Sequence, residues 1–554
     1  MRIGPRLRRP LVKDAVLLAG LVAVVGFLWG RAAGSMWYWT DEGISVGIAS
    51  HPFGDIPTLL RQDGSPPLYY LLLHVWMKLF GTSEASTHTL SLLFSMATVP
   101  AALWGGWSLY GRRAGWMCAL LAALNPFLAT YSSETRMYSM VVLLGLLATG
   151  SFVHAFVFGR RRYLAAFAVF LTLLLYTHNW GLLFGVGAVL ALVPCVLFNS
   201  DRKRLMVDAT LSFGFVALAY APWLPTLLYQ RGQELQPWAF PVTLQAARAE
   251  IVGLFGGGDI LGTAAAVVLG AGVASGLVVM LRMPLSRSAV GIIAAAVLVA
   301  VVISGGWITS VWVYRYLAAV VGPLILVAGA GLAGGGRTAL AALWVVALAT
   351  APIATKGASH HKSNSGALGD QAGRQLRAGD LVISTDPHVV PLLAHYLPSG
   401  VRYVTTSGPV ADEGIVDWRK MTDRLRDGQP ATTLPPLMES LPRSAHVLLT
   451  CPPVPAVRQS ARLGGTAGAA PTASPAPATS PSGAPAPAAA APSVVTQTVP
   501  APSSTNEFHA LTRQRCLETA GMLLSDPRFQ LQMTLEAPAD SLITPVDGYL
   551  FTKR

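Results

Sequence analysis

Pro66-Pro67-Leu68-Tyr69-Tyr70-Leu71-Leu72-Leu73-His74-Val75-Trp76-Met77-Lys78-Leu79-Phe80 is the stretch on which the topology turns. It is apolar, but only about 15 residues long, where a bilayer crossing takes about 20. Counted as a crossing, it moves every later basic loop to the other side of the membrane. Read as a helix lying at the interface, with Pro67 in its first turn, it leaves those loops together on one side.

Working outward, apolar runs long enough to cross lie near 14–33, 88–109, 115–131, 138–158, 163–179, 181–198, 207–226, 260–281, 288–308, 316–333 and 338–355. Arg112-Arg113, Arg160-Arg161-Arg162, Arg202-Lys203-Arg204, Arg282 with Arg287, and Arg337 fall between alternate pairs. Placing these clusters and the N-terminus in the cytoplasm satisfies the positive-inside rule throughout. The expected fold is mainly α: a polytopic transmembrane bundle of eleven spans, with interfacial helices in the first outer loop, 34–87. The C-terminal region, from Lys356, is expected outside. The apolar run Ala15–Gly30 follows a basic start like a signal peptide, but Trp37, Tyr38 and Trp39 stand where a small-residue cleavage site would be. A retained first span with an aromatic anchor is the reading.

Composition agrees. Only 12% of the 554 residues are charged, about half the share in a soluble domain. Hydrophobic residues make up 53% and mean hydropathy is +0.50, which excludes a disordered, fibrous or ordinary cytosolic chain. Lys plus Arg number 40 against 27 Asp plus Glu, a formal net charge of +13. The basic residues sit between apolar runs rather than on one soluble face, so they signal topology and no nucleic-acid partner.

The expected domains are a transmembrane domain over 1–355 and an extracytoplasmic α/β domain whose first part is 356–462 and whose last part is 507–554. Asp380–Ser384, Val401–Val404 and His446–Leu449 read as strands; Val389–Tyr396, Trp418–Arg426 and Glu507–Leu524 read as helices. Between the two parts, 463–506 is dominated by Ala, Pro, Ser and Thr and reads as a disordered insertion. Cys451 and Cys516 flank it and are a candidate disulfide if this part lies outside the cytoplasm; a pair of free buried thiols is the alternative. Cys118 and Cys195 sit in apolar runs.

Chemistry gathers on the outer side. Asp41 and Glu42 follow the first span. A carboxylate there can take a proton from a hydroxyl, and a second can hold a divalent cation or orient the site; the bland reading is an acidic helix start. Arg136, in Tyr131-Ser132-Ser133-Glu134-Thr135-Arg136-Met137-Tyr138, lies at a span boundary with no cytoplasmic position to explain it. It reads either as a phosphate clamp or as a cation neutralised by Glu134. Arg315 stands at another outer boundary, where snorkelling is the alternative. His178, at an outer turn, reads as a substrate or metal contact, or as a hydrogen-bonded interfacial histidine.

The ordered set Trp39-Thr40-Asp41-Glu42, Ser65-Pro66-Pro67-Leu68-Tyr69-Tyr70, Gly111-Arg112-Arg113 and Ser133-Glu134-Thr135-Arg136-Met137-Tyr138 resembles the multi-span type C glycosyltransferases. Within them it is similar to the branch of protein O-mannosyltransferases, lipid A aminoarabinose transferase and bacterial relatives described as mannosyltransferases. The resemblance covers roughly the first 320 residues. It implies an enzyme of the cytoplasmic membrane that moves a sugar, mannose first and arabinose second, from a polyprenyl-phosphate donor. The acceptor would be a hydroxyl of a glycan, lipid or protein on the outer face, with inversion. By the resemblance Asp41 would be the catalytic base with Glu42 beside it, and Arg136 and Tyr138 would face the donor phosphate; Arg315, Tyr69 and His178 are further candidates for binding substrate. The sequence departs from the pattern at Ser65, where members often have His, and metal dependence varies in the group. A transporter of lipid-linked sugar is the rival class, but it calls for charges deep inside spans and for repeated halves, which this sequence lacks. A non-catalytic cell-envelope assembly protein is the third reading.

Overall fold

The computed structural model describes residues 12–233, 237, 243–254, 260–281, 286–308, 312–335, 339, 341–348, 361–462, 506–538 and 543–554. The proposed insertion 463–506 lies, but for its last residue, outside them. The chain forms two compact units, Met1–Lys362 with Gly414–Arg419, and Ser363–Glu413 with Lys420–Arg554.

In the first unit, α1 (Val12–Ala33) is followed by three short helices, α2 (Thr40–Ser50), α3 (Ile56–Asp63) and α4 (Leu68–Phe80). Gly64 and Gly81, both at positive φ, end α3 and α4. At about 1.5 Å per residue α4 is about 20 Å long, well short of a hydrocarbon core of about 30 Å. It buries Tyr69, Tyr70, Leu73 and Met77, while Leu72, Val75, Leu79 and Phe80 stay outward. A short helix with an outward apolar face suits a membrane interface.

The helices that follow are α5 (Glu84–Tyr110), α6 (Arg112–Ala123), α7 (Pro126–Tyr131), α8 (Tyr138–Phe152), α9 (Leu164–Thr177), α10 (Trp180–Leu190), α11 (Leu192–Leu197), α12 (Arg202–Tyr220), α13 (Leu224–Arg231), α14 (Leu244–Gly253), α15 (Ile260–Leu281), α16 (Arg287–Ile308) and α17 (Ala318–Leu332). Each of the first ten apolar runs read from the sequence contains at least one helix among the described residues. Among the described residues, seven helices are long and apolar enough to cross a membrane. This is a multi-pass membrane protein. The run 115–131 is broken: α6 ends at Ala123, and Asn125 caps α7 with Pro126 at its first position. Run 163–179 gives α9, 14 residues long. Of run 338–355 only part is described.

Packing at the centre relies on missing side chains. α8 and α17 are buried along almost their whole length. A Cβ on Gly322 would stand 2.5 Å from the Leu146 nitrogen and 2.7 Å from the Val142 oxygen. Lipid supplies no hydrophobic drive between helices, so such close backbone approach is what holds them. On α1, the buried Asp14 accepts from Arg112 Nη2 at 2.7 Å and Trp116 Nε1 at 2.9 Å, which fixes α1 to the start of α6.

The second unit has one six-stranded sheet, β1 (Leu381–Ser384), β2 (Arg402–Thr405), β3 (Gly408–Pro409), β4 (His446–Cys451), β5 (Phe529–Leu535) and β6 (Asp547–Lys553), in the order β3-β2-β1-β4-β6-β5. β2, β1 and β4 are parallel and the other pairings antiparallel. The helices α18 (Val390–Tyr396), α19 (Met421–Asp427) and α20 (Glu507–Ser525) accompany it. Cys451, ending β4, is joined to Cys516 on α20 by a disulfide inside a core of Leu381, Ile383, Val447, Leu449 and Phe551. One expected helix is shorter than read: Trp418 is not part of α19, because Gly414–Arg419 belongs to the first unit, where the Trp418 amide donates to the Gln62 carbonyl at 3.2 Å.

Gly322→Val should destabilise the detergent-solubilised chain by about 1–3 kcal/mol, the usual cost of overpacking. Gly20→Val, on a part of α1 with no atom within 4 Å of the new Cβ, should leave the thermal midpoint unchanged. Thermal unfolding of the two variants side by side checks this.

Candidate functional site

Asp41 and Glu42 are neighbours in the first turn of α2. Successive residues of a helix point about 100° apart, so the two carboxylates face different surroundings. Glu42 is 1% exposed. Its Oε1 accepts from Thr135 N–H at 2.6 Å and from His88 Nε2 at 2.7 Å, and its Oε2 accepts from Trp39 N–H at 3.3 Å. Burial pushes this carboxyl up, but His88, Lys362 and the Thr135 amide outweigh it and hold it below the usual range. Glu42 is thus used within the fold, and the expectation of a catalytic role beside Asp41 does not match where its carboxylate points.

The Asp41 side chain is 20% exposed and looks into a cluster of cations. Its Oδ2 lies 3.8 Å from Arg136 Nη2 and 3.5 Å from Arg315 Nη2. Both distances are at or beyond hydrogen-bond range, so these are ion pairs rather than closed bidentate bridges. Arg136 Nη1 donates to the Asp41 carbonyl at 3.2 Å and to Ser45 Oγ at 2.9 Å, and Nη2 to the Tyr138 hydroxyl at 3.4 Å. Burial opposes the charge on Arg136, but Tyr138, Tyr70 and Asp41 outweigh it and keep its pKa above the ordinary arginine value. Its buried Nε has no hydrogen-bond partner among the described residues.

Aromatic rings wall the cluster. Arg315 stacks over Trp39 and over Tyr316, each at 5.7 Å. Tyr138 packs against Tyr131 and against His178. His178 Nδ1 accepts the Trp180 amide at 3.1 Å, and its ring meets Tyr316 edge-on at 4.9 Å. Burial, then Arg136 and Arg315, push His178 down to about 3, so it is a neutral ring on the edge of the cluster.

Two guanidinium groups against one carboxylate leave surplus positive charge in a largely dry place. Buried charge is costly unless compensated, and the forked donors of arginine match phosphate oxygens. The arrangement can hold an anion and, beside it, offer a carboxylate base. A divalent cation is a poor fit: Glu42 is filled by N–H donors and Asp41 faces two arginines. No group of three or more His, Cys, Asp or Glu side chains suited to a metal occurs among the described residues.

The alternative in which Glu134 neutralises Arg136 is set aside by Lys362, whose Nζ is the ion-pair partner of Glu134. Burial still holds Glu134 above the usual carboxylate range. Tyr69 takes a different place from the one expected. It is fully buried and its hydroxyl meets Ser91 at 3.2 Å, whereas the Tyr70 hydroxyl reaches Arg136 at 3.5 Å and donates to Asp63 at 3.2 Å. Sequence reasoning missed Tyr70, Ser45, Asp63, His88 and Lys362. The adjacent tyrosines could have been separated by helix phase; nothing local marks the others.

No protein-family profile matches this chain. No curated protein sequence matches it. Its structure is similar to that of ArnT from Cupriavidus metallidurans in the apo state, with a TM-score of 0.56 at 13% identity over 81% of this chain and 95% of that one. Against the same protein bound to undecaprenyl phosphate the TM-score is 0.55 at 14% identity, with the same coverage. The fold is that of the multi-span type C glycosyltransferases. A fainter likeness, TM-score 0.47 at 13% identity over 79% of this chain and 69% of that one, is to the archaeal oligosaccharyltransferase AglB from Archaeoglobus fulgidus, in complex with an inhibitory peptide and a dolichol-phosphate. Asp41, Arg136 with Tyr138, Arg315 and His178 come together from four separate segments, and Tyr69 and Glu42 lie behind them.

Lys362→Met removes the cation from a carboxylate that is 3% exposed and should cost about 3 kcal/mol of stability, the penalty for breaking a buried pair. Adding Glu134→Gln should restore part of it. Thermal unfolding of the two variants reads this as a drop and a partial recovery of the midpoint.

Proposed function

We propose that the chain is a glycosyltransferase that takes a sugar from a polyprenyl-phosphate donor and places it on an acceptor hydroxyl. The observation that carries the reading is the pair of buried arginines sharing one partly exposed carboxylate, in a fold similar to a protein solved with undecaprenyl phosphate bound. The donor's tail would remain in lipid while its phosphate meets Arg136 and Arg315. Tyr138, Tyr316 and Trp39 would hold the guanidinium planes.

The step balances as follows. The acceptor oxygen forms a bond to the anomeric carbon as the bond from that carbon to the phosphate oxygen breaks. The polyprenyl phosphate leaves with the bonding pair, and its growing charge is met by Arg136 and Arg315. The acceptor proton passes to Asp41. Attack opposite the leaving group inverts the anomeric centre. Mannose is the favoured sugar, arabinose the second. The acceptor is a glycan, lipid or protein hydroxyl. The reading includes eleven crossings, a cytoplasmic N-terminus, and chemistry on the outer face with residues from Lys356 on that side. It also keeps the proposed segments 1–355, 356–462, 463–506 and 507–554.

Membranes given labelled polyprenyl-phosphate-mannose and polyprenyl-phosphate-arabinose should transfer sugar. Asp41→Asn should lower the rate about 1000-fold, within the range for a removed general base. Arg136→Ala should lower it about 100-fold, as for a lost oxyanion partner. Transfer that survives Asp41→Asn at the wild-type rate would overturn the assignment.

A further inference from the structure

His88 lies on α5, four residues past its start, and is fully buried. Its Nδ1 stands 2.7 Å from the Ala33 carbonyl oxygen at the end of α1, and its Nε2 stands 2.7 Å from Glu42 Oε1 on α2. Both partners accept. The carbonyl can do nothing else, and the Glu42 carboxylate is already taking N–H bonds from Thr135 and Trp39. A neutral imidazole carries one N–H, so it satisfies one of these contacts and sets a lone pair against the other. Only the imidazolium donates to both.

A charge on a fully buried ring is expensive, and Glu42 is the charge that offsets it. The pair is therefore a rigid joint. It ties the end of α1 to the first turn of α2. Through Thr135 N–H it also grips the residue before Arg136. A second strand of bonds runs alongside: Thr135 Oγ1 donates to Thr87 Oγ1 at 2.7 Å, and Thr87 meets the Tyr38 hydroxyl. Tyr38 in turn packs edge-on against His88 at 5.6 Å. Neither His88 nor Glu42 reaches the cluster around Asp41, yet Asp41 adjoins Glu42 and Arg136 adjoins Thr135, and these two are its poles.

We propose that His88 is a positioning residue for sugar transfer: as a buried imidazolium it clamps α1, Glu42 and Thr135 so that Asp41 and Arg136 face each other at the distance the reaction needs. This rests on the proposed transferase reading. It makes Glu42 act through His88, at one remove from the substrate.

The test uses the full-length chain purified into lipid nanodiscs, with rates expressed per folded molecule. Each variant is assayed for transfer from the polyprenyl-phosphate sugar that the wild type uses best. His88→Gln keeps one donor and loses the charge; His88→Leu loses both; Glu42→Gln removes the partner. An ångström of misplacement costs about 100-fold. His88→Leu should therefore lose about 100-fold in kcat and His88→Gln about 10-fold, with the donor KM changed by less than about 3-fold. The double variant Glu42→Gln with His88→Leu should lose no more than the worse single change, because the two act as one unit. A residue that only stabilises the fold would lower yield and thermal midpoint while leaving kcat per folded molecule alone; that result overturns the proposal, as does a double variant whose losses multiply. If His88→Leu does not fold, His88→Gln alone decides. Asp41→Asn separates the two readings. Full activity in Asp41→Asn, or no transfer by the wild type from either donor, removes the transferase reading and this proposal with it. Inactivity of Asp41→Asn with normal kcat in both His88 variants removes only the clamp.

Discussion

A carboxylate that is almost wholly out of water has to be surrounded by donors, and Glu42 is the point where this requirement organises the first unit. Its two oxygens collect the amides of Trp39 and Thr135 and the ring of His88. Those partners come from the residue that precedes α2, from the connection before α8, and from α5. One side chain thus ties the start of its own helix to two segments that are remote in sequence. The segment order that results puts Asp41 against Arg136 and Arg315. Were Glu42 unpaired, the desolvation of its charge would set α2 free of α5, and the Asp41 cluster would lose its frame.

The cluster itself is the electrostatic complement of that bracket. Where Glu42 and His88 cancel, Asp41, Arg136 and Arg315 do not. The surplus positive charge is tolerated because tyrosine hydroxyls, a serine hydroxyl and a backbone carbonyl accept from Arg136, and because aromatic faces lie beside both guanidinium groups. A neutral His178 adds no further charge on that rim. Such a place suits an anion, because two forked guanidinium groups lie there beside one partly exposed carboxylate. Asp41, partly exposed, is the member of the set open to a second reactant.

Much of the fold was legible. Ten apolar runs each gave a helix or a broken pair of helices, α4 stayed too short to cross, and three of the sheet's six strands fell on the segments read as strands. Periodicity and length are local properties, so they read well. Elements lost to the reading were those whose identity depends on partners. Asn125-Pro126 divides an apolar run that hydropathy alone joins. β6 pairs with β4 on one side and with β5 on the other, and no local pattern announces it. Trp418 was read as helical from its neighbours, but its amide bonds to Gln62.

The sequence by itself determined which residues carry charge into apolar surroundings: Asp41, Glu42, Glu134, Arg136 and Arg315 stand out because each needs a reason to be there. What it could not determine is who compensates whom. Adjacent Asp41 and Glu42 look equivalent in a string and are opposite in space, because one step along a helix turns a side chain through about 100°. Adjacent Tyr69 and Tyr70 divide in the same way. Glu134 sits two residues from Arg136 yet pairs with Lys362, 228 positions away. Charge compensation in a low-dielectric interior is decided by distance in three dimensions, and only the tertiary structure supplies that distance.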